Sequence, residues 1–115
     1  MESILDTVKK SIGPSAMYEY FDPDLIMHIN SVFFDLTQMG VGPPEGFMIE
    51  DNTAIWEDFI PEIGTFEAVK SYMCLRVKQL FDPPAGSAQA EALQRQIDKW
   101  EWRLNVEAEN MKSNS

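Results

Sequence analysis

Apolar residues recur at helical spacing through most of the chain, and the clearest stretch is Phe66–Phe81, FEAVKSYMCLRVKQLF. Phe66, Val69, Met73, Val77, Leu80 and Phe81 share one face, with Cys74 at its edge, Tyr72 on the flank and Leu75 on the far side. Gly64-Thr65 offers an N-cap, and Asp82-Pro83-Pro84 stops the helix, since proline cannot continue its hydrogen bonding. Residues 3–12 predict a short helix, with Ser3 capping toward Asp6 and Ile4, Leu5, Val8 and Ile12 as its stripe. Gly13-Pro14-Ser15 ends it. The aromatic connector Ala16–Phe21 is expected to cover the edge of the core.

Asp22-Pro23-Asp24 opens a second helix, with Asp22 as N-cap, proline in the first turn and two carboxylates at the positive end of the dipole. Leu25, Ile29, Val32, Phe33, Leu36 and Met39 line its core face, and Gly40 supplies the left-handed residue past its end. Val41–Pro61 is irregular, with Gly42–Gly46 as a turn, Phe47–Ile49 as a short extended segment, and Asp51–Thr53 capping a brief helical turn within Ala54–Ile60. The last helix runs from Ser87 to about Met111, with Leu93, Ile97, Trp100, Leu104, Ala108 and Met111 in one stripe, and residues 112–115 are expected to fray. The pattern predicts an all-α chain: a small bundle of about four main helices in a single domain over 1–115.

The apolar surplus changes the picture. Met27 and Phe34, Leu75, and Trp102 and Val106 lie opposite good core stripes on three helices, which points to protein contacts. Charge adds a second asymmetry. The net charge is −10, and between Lys10 and Lys70 there is no Lys or Arg, while acids run from Glu19 through Glu45, Glu50 and Asp51 to Glu67. Such a chain repels a phosphate backbone over most of its surface, which argues against a grip on nucleic acid.

Candidate chemistry is thin. His28, the sole histidine, has no ligand partner one helical turn away, and Cys74 reads as a small core residue of a reducing compartment. Glu50-Asp51 and Glu57-Asp58 lack the alternating pattern of a calcium loop. These observations predict no catalytic centre, no metal and no cofactor. No apolar run approaches the roughly 20 residues that cross a bilayer, and the N-terminus has no apolar signal core.

Four stretches carry a resemblance: DPDLIMHIN at 22–30, GVGPPEGFMIEDNTAIWEDFI at 40–60, VKQLFDPP at 77–84 and WEWRLN at 100–105. Together they resemble the small head–tail connector (adaptor) proteins of tailed bacteriophages and prophages, the gp6-like connector group. The resemblance implies a helical bundle with an irregular loop before its central helix. It further implies a virion protein, assembled in the host cytoplasm, that forms a ring matching the twelve-fold portal and extends the DNA channel. Its partners would be its own copies, the portal protein and the next connector or tail-completion protein, with DNA passing through unbound. By the same similarity, Trp100, Trp102, Arg103 and Val106 would lie near the portal or a neighbouring subunit. The Gly42–Asn52 loop would present Phe47 and Met48 to the adjacent subunit and the acids Glu45, Glu50 and Asp51 to the lumen. The competing reading is a small acidic inhibitor that mimics DNA and occupies a basic site on a host protein.

Overall fold

A computed structural model describes residues 2–60 and 63–113, with the side chains of 63–66 and 111–113 outside the description. Four long helices and one single-turn helix follow in order: α1 (Ile4–Ile12), α2 (Asp22–Met39), α3 (Trp56–Phe59), α4 (Ile63–Phe81) and α5 (Ser87–Ser113). Pro14–Ala16 and Glu19–Phe21 form 3-10 turns between α1 and α2. Among the described residues there is no strand, only one antiparallel bridge between Ser3 and Ile55. The chain is all-α, as its periodicity predicts.

Local chemistry sets the start of α1 and the end of α2. The Ser3 hydroxyl accepts the Asp6 amide at 3.2 Å, and Ile4, Leu5, Val8 and Ile12 are all buried. Gly40, in the left-handed region at φ 89°, ends α2. The Val41 amide then reaches back to the Leu36 carbonyl at 2.9 Å and the Gly40 amide to Thr37 at 3.0 Å, a Schellman closure that buries Val41. Leu25, Ile29, Val32, Phe33 and Leu36 face inward from α2; Val69, Met73 and Val77 do so from α4, and Leu93, Ile97, Leu104 and Ala108 from α5. These side chains form one continuous core around α4.

Several expectations need correction. Helix α4 already runs at Ile63, so Gly64-Thr65 lies inside it rather than capping it. Asp22 adopts helical angles because the Glu19–Phe21 turn feeds directly into α2, and its carboxylate pairs with Lys9 at 2.7 Å instead of capping. Tyr18 and Tyr20 are 70 % and 84 % exposed, with Tyr20 touching only the ring of Phe21 among the aromatics, while Ala16 and Phe21 serve the core edge. Tyr72, on the flank of the α4 stripe, is buried because α5 packs over it, and Leu80 stands exposed at the end of that stripe. Asp51 does not cap α3: its carboxylate accepts the Thr53 amide at 2.9 Å, while Asp58 accepts the Ile55 amide at 3.0 Å and serves that end. Phe66 and Met111 fall among the side chains outside the description. Of the tail expected to fray, 112–113 continue α5, and 114–115 lie outside the described residues.

Candidate protein-interaction surfaces

The irregular segment between α2 and α4 is tied down at nearly every turn of the chain. Gly42, at φ 86°, brings its backbone against the Phe59 ring so closely that a Cβ would overlap it. Phe33, Phe47 and Phe59 make an aromatic cluster with ring centroids 4.6–5.4 Å apart. The Asn30 carboxamide mimics a strand partner, accepting the Ile49 amide at 2.8 Å and donating to its carbonyl at 3.0 Å, so that buried Ile49 keeps both backbone groups satisfied. Farther on, the Ile4 amide donates to the Ala54 carbonyl at 3.0 Å, and the indole N–H of buried Trp56 donates to Thr7 at 3.1 Å.

Folding the loop back this way leaves a groove against α2. It measures about 670 Å³ and is lined by Asn30, Ser31, Phe34, Thr37, Glu45 and Gly46, with Phe47 and Met48 completing the wall. Met27, Phe34, Met48 and Trp102 are between 62 % and 72 % exposed. Phe47, by contrast, is half-buried in the aromatic cluster and shows only part of its ring to the groove.

The second surface is the outer side of α5. Arg95, Lys99, Trp102 and Val106 follow one another at helical spacing, opposite the buried Leu93, Ile97, Leu104 and Ala108. No described residue forms an ion pair with Arg95 or Lys99. Asp98 and Glu101 are occupied elsewhere: Asp98 accepts from Gln94 at 2.9 Å, and Glu101 accepts from the Tyr72 hydroxyl at 3.0 Å. That hydroxyl accepts in turn from Arg76 at 2.7 Å, and Arg76 pairs with Asp35 on α2 at 2.8 Å, so one polar chain crosses three helices. Burial, chiefly, pushes the Tyr72 phenol up to about 12.

The charge pattern is concrete in three dimensions. Of the cations, Lys9, Lys70 and Arg76 are drawn onto Asp22, Glu2 and Asp35, where they tie elements together. The hydrogen bond from Lys70 holds the Glu2 carboxyl below its ordinary range and raises the Lys70 ammonium. Glu67 lies 3.8 Å from Lys70 and one Glu107 oxygen is buried, while the loop acids Glu45, Glu50 and Asp51 are exposed and form no ion pair with a described residue. Glu50 and Asp51 gather with Glu19 and Asp22 around a shallow hollow of about 440 Å³, whereas Glu45 lies in the groove on α2. The three loop acids therefore line two hollows rather than one wall.

Residues 4–111 match the family described as phage connector protein. The chain belongs to that family. No curated protein and no solved structure matches it. The connector family is a structural one, not a family of enzymes, and its role is at the phage head–tail junction.

Within this connector, the residues singled out from sequence divide by exposure. Met27, Phe34, Met48 and Trp102 stand free, and Val106 is partly covered. Leu75 and Trp100 are half-buried and packed on the core, because α4 and α5 each touch more than one neighbour. Arg103 is exposed, with its guanidinium 5.1 Å from the Trp100 ring centre, and shields that ring. Sequence reasoning missed two features of the segment before α2: a shallow hollow that Met17 and Tyr18 share with Lys10, and the edge-to-face stacking of Tyr20, Phe21 and Phe81 at 5.4 Å. Clustered aromatics in so short a connector were the available signal. Burial raises the Cys74 thiol, in keeping with a packed rather than reactive cysteine. Among the described residues, no group of His, Cys, Asp and Glu is placed to hold a metal ion, and no helix is long and apolar enough to cross a membrane.

Proposed function

We propose that this connector assembles, as gp6-like connectors do, into a ring beneath the portal, extends the DNA channel and receives the next connector or tail-completion protein. The observation that carries this reading is the family match over 4–111, joined to exposed apolar side chains on three separate elements of one chain. A subunit in a ring needs contacts on two different faces, and a monomer gains nothing from leaving Met27, Phe34, Met48 and Trp102 in water. Self-association, with a count matching the twelve-fold portal, and portal docking follow from this reading, with the outer side of α5 meeting the portal or a neighbouring subunit. So does a virion location after assembly in the host cytoplasm.

The loop acids Glu45, Glu50 and Asp51 serve the channel by repelling phosphate, so that the duplex slides without being held. Replacing Glu50 and Asp51, which lie outside the groove on α2, together by Lys is expected to leave assembly intact and slow DNA passage, measured as ejection rate from reconstituted particles. Unchanged ejection would remove these acids from the lumen.

The deciding experiment is the mass of the protein alone and mixed with its cognate portal, by light scattering or native mass spectrometry. A discrete ring in either condition supports the connector ring. A monomer that ignores the portal refutes it. The second reading, a DNA-mimicking inhibitor, draws on the segment from 11 to 69 without Lys or Arg. It requires a stable complex between the monomer and a basic host protein.

A further inference from the structure

The groove and the outer stripe of α5 each pair exposed apolar groups with charge of opposite sign, Glu45 in the groove and Arg95 and Lys99 on the stripe. The groove is walled by Phe34, Phe47 and Met48, carries Glu45, and lies wholly within the stretch that has no Lys or Arg. The stripe offers the opposite combination: an exposed indole at Trp102, the cations Arg95 and Lys99 along the same line, and Val106 beyond. Both are uncovered in the same molecule, so neither fills the other within one chain. A groove-to-groove contact would oppose the two Glu45 carboxylates and leave both Trp102 indoles in water, and a stripe-to-stripe contact would leave both grooves unfilled.

We propose that Trp102 of one copy seats in the α2–loop groove of a second copy, with Arg95 and Lys99 facing the acidic rim. This rests on the ring reading and names its contact. Because the two patches differ, the contact is head-to-tail: each copy gives an arm and receives one, which closes a ring if the rotation between copies permits. A buried tryptophan ringed by polar contacts is the usual anchor of such an interface.

Two exposed positions test it without touching the anchor or the walls' apolar groups: Ser31→Cys in the groove and Asn105→Cys one turn from Trp102. Each variant also carries Cys74→Ala, so that the introduced cysteine is its only one; the two are mixed under mild oxidation, alone and with portal, and cross-links are read on non-reducing gels. The mixture is expected to give a disulfide-linked heterodimer at least about tenfold above either variant alone, and the doubly substituted chain a ladder of multimers. Adding Trp102→Ala to the Asn105→Cys chain should return the yield to background. A Glu57→Cys chain supplies that background.

Homodimers of Asn105→Cys without mixed product, or a mixed yield at background with and without portal, would overturn the contact. Wild-type mass is read in parallel: rings without this cross-link discard the contact and keep the ring, whereas no ring at all discards the ring reading itself.

Discussion

The loop from Val41 to Ile55 and the helix α5 make opposite use of the chain. The loop has no repeating backbone bonds, yet Gly42, Phe47, Ile49 and Ala54 each meet a specific partner from α1, α2 or α3. Helix α5 satisfies its own backbone over 27 residues but rests on the bundle by one stripe and, among the described residues, two side-chain hydrogen bonds, Tyr72 to Glu101 and Gln79 to Gln94. Regularity and anchorage are thus separate properties. The irregular element is fixed by side chains that reach it from far along the chain, and it forms the wall of a groove. The regular element leaves most of its surface free and presents an arm.

If that contrast is right, the loop should fail first when its anchors go. Phe59→Ala removes a ring that touches Phe33, Phe47 and the Gly42 backbone, and is expected to cost about 3–5 kcal/mol, read as a lower urea midpoint. Asn30→Ala strands the amide and carbonyl of buried Ile49, and about 1–3 kcal/mol is expected. Loss confined to the loop would appear as faster amide exchange at Ile49 than in α4. Equal exchange throughout would mean that the loop is merely carried by the bundle.

The same contrast explains what the sequence made legible. Caps and stripes are local, so Ser3, Gly40 and the inward faces of α1, α2 and α5 could be read from spacing. Met27, Phe34 and Trp102 were readable for the converse reason, as apolar residues where the wheel predicts solvent. Partners far apart in the chain were not readable: nothing near Asn30 announces Ile49, nothing near Thr7 announces Trp56, and Asp22 looks like a cap until Lys9 is seen beside it. Tyr72 on the flank and Leu75 on the far side of the α4 stripe already imply more than one neighbour for that helix, as it has, but a helical wheel cannot say which neighbour buries which residue. The groove needed the loop's return path onto α2, which no periodicity encodes.

Helix α5 provides a smaller test. Tyr72→Phe removes the hydroxyl between Arg76 and Glu101, for about 0.5–1.5 kcal/mol near neutrality. Its pH dependence is more telling. The folded phenol holds its proton to about 12, against an ordinary 10.0, so between those values the folded state binds more protons than the unfolded one. Stability contributed by this group is therefore full below pH 10 and falls as pH rises toward 12. Wild type and Tyr72→Phe, compared by denaturant titration across that window, should converge as pH rises. A constant gap would mean that Tyr72 titrates as an exposed phenol.

The smallest effect on folding is expected at the position with the largest effect on assembly. Trp102 projects from α5 on the side away from Leu104, which is fully buried, so Trp102→Ala removes no core contact and should shift stability by no more than about 0.5 kcal/mol. Under the arm-and-groove pairing the same change should abolish ring formation at concentrations where the wild type assembles. The two measurements separate the possibilities cleanly. A loss of stability comparable to a core truncation would show that the indole packs on its own bundle, and the distinction between a tied loop and a free helix would fail at its most exposed point. Unchanged stability with intact rings would leave the helix free but assign its tryptophan to a partner other than a second copy.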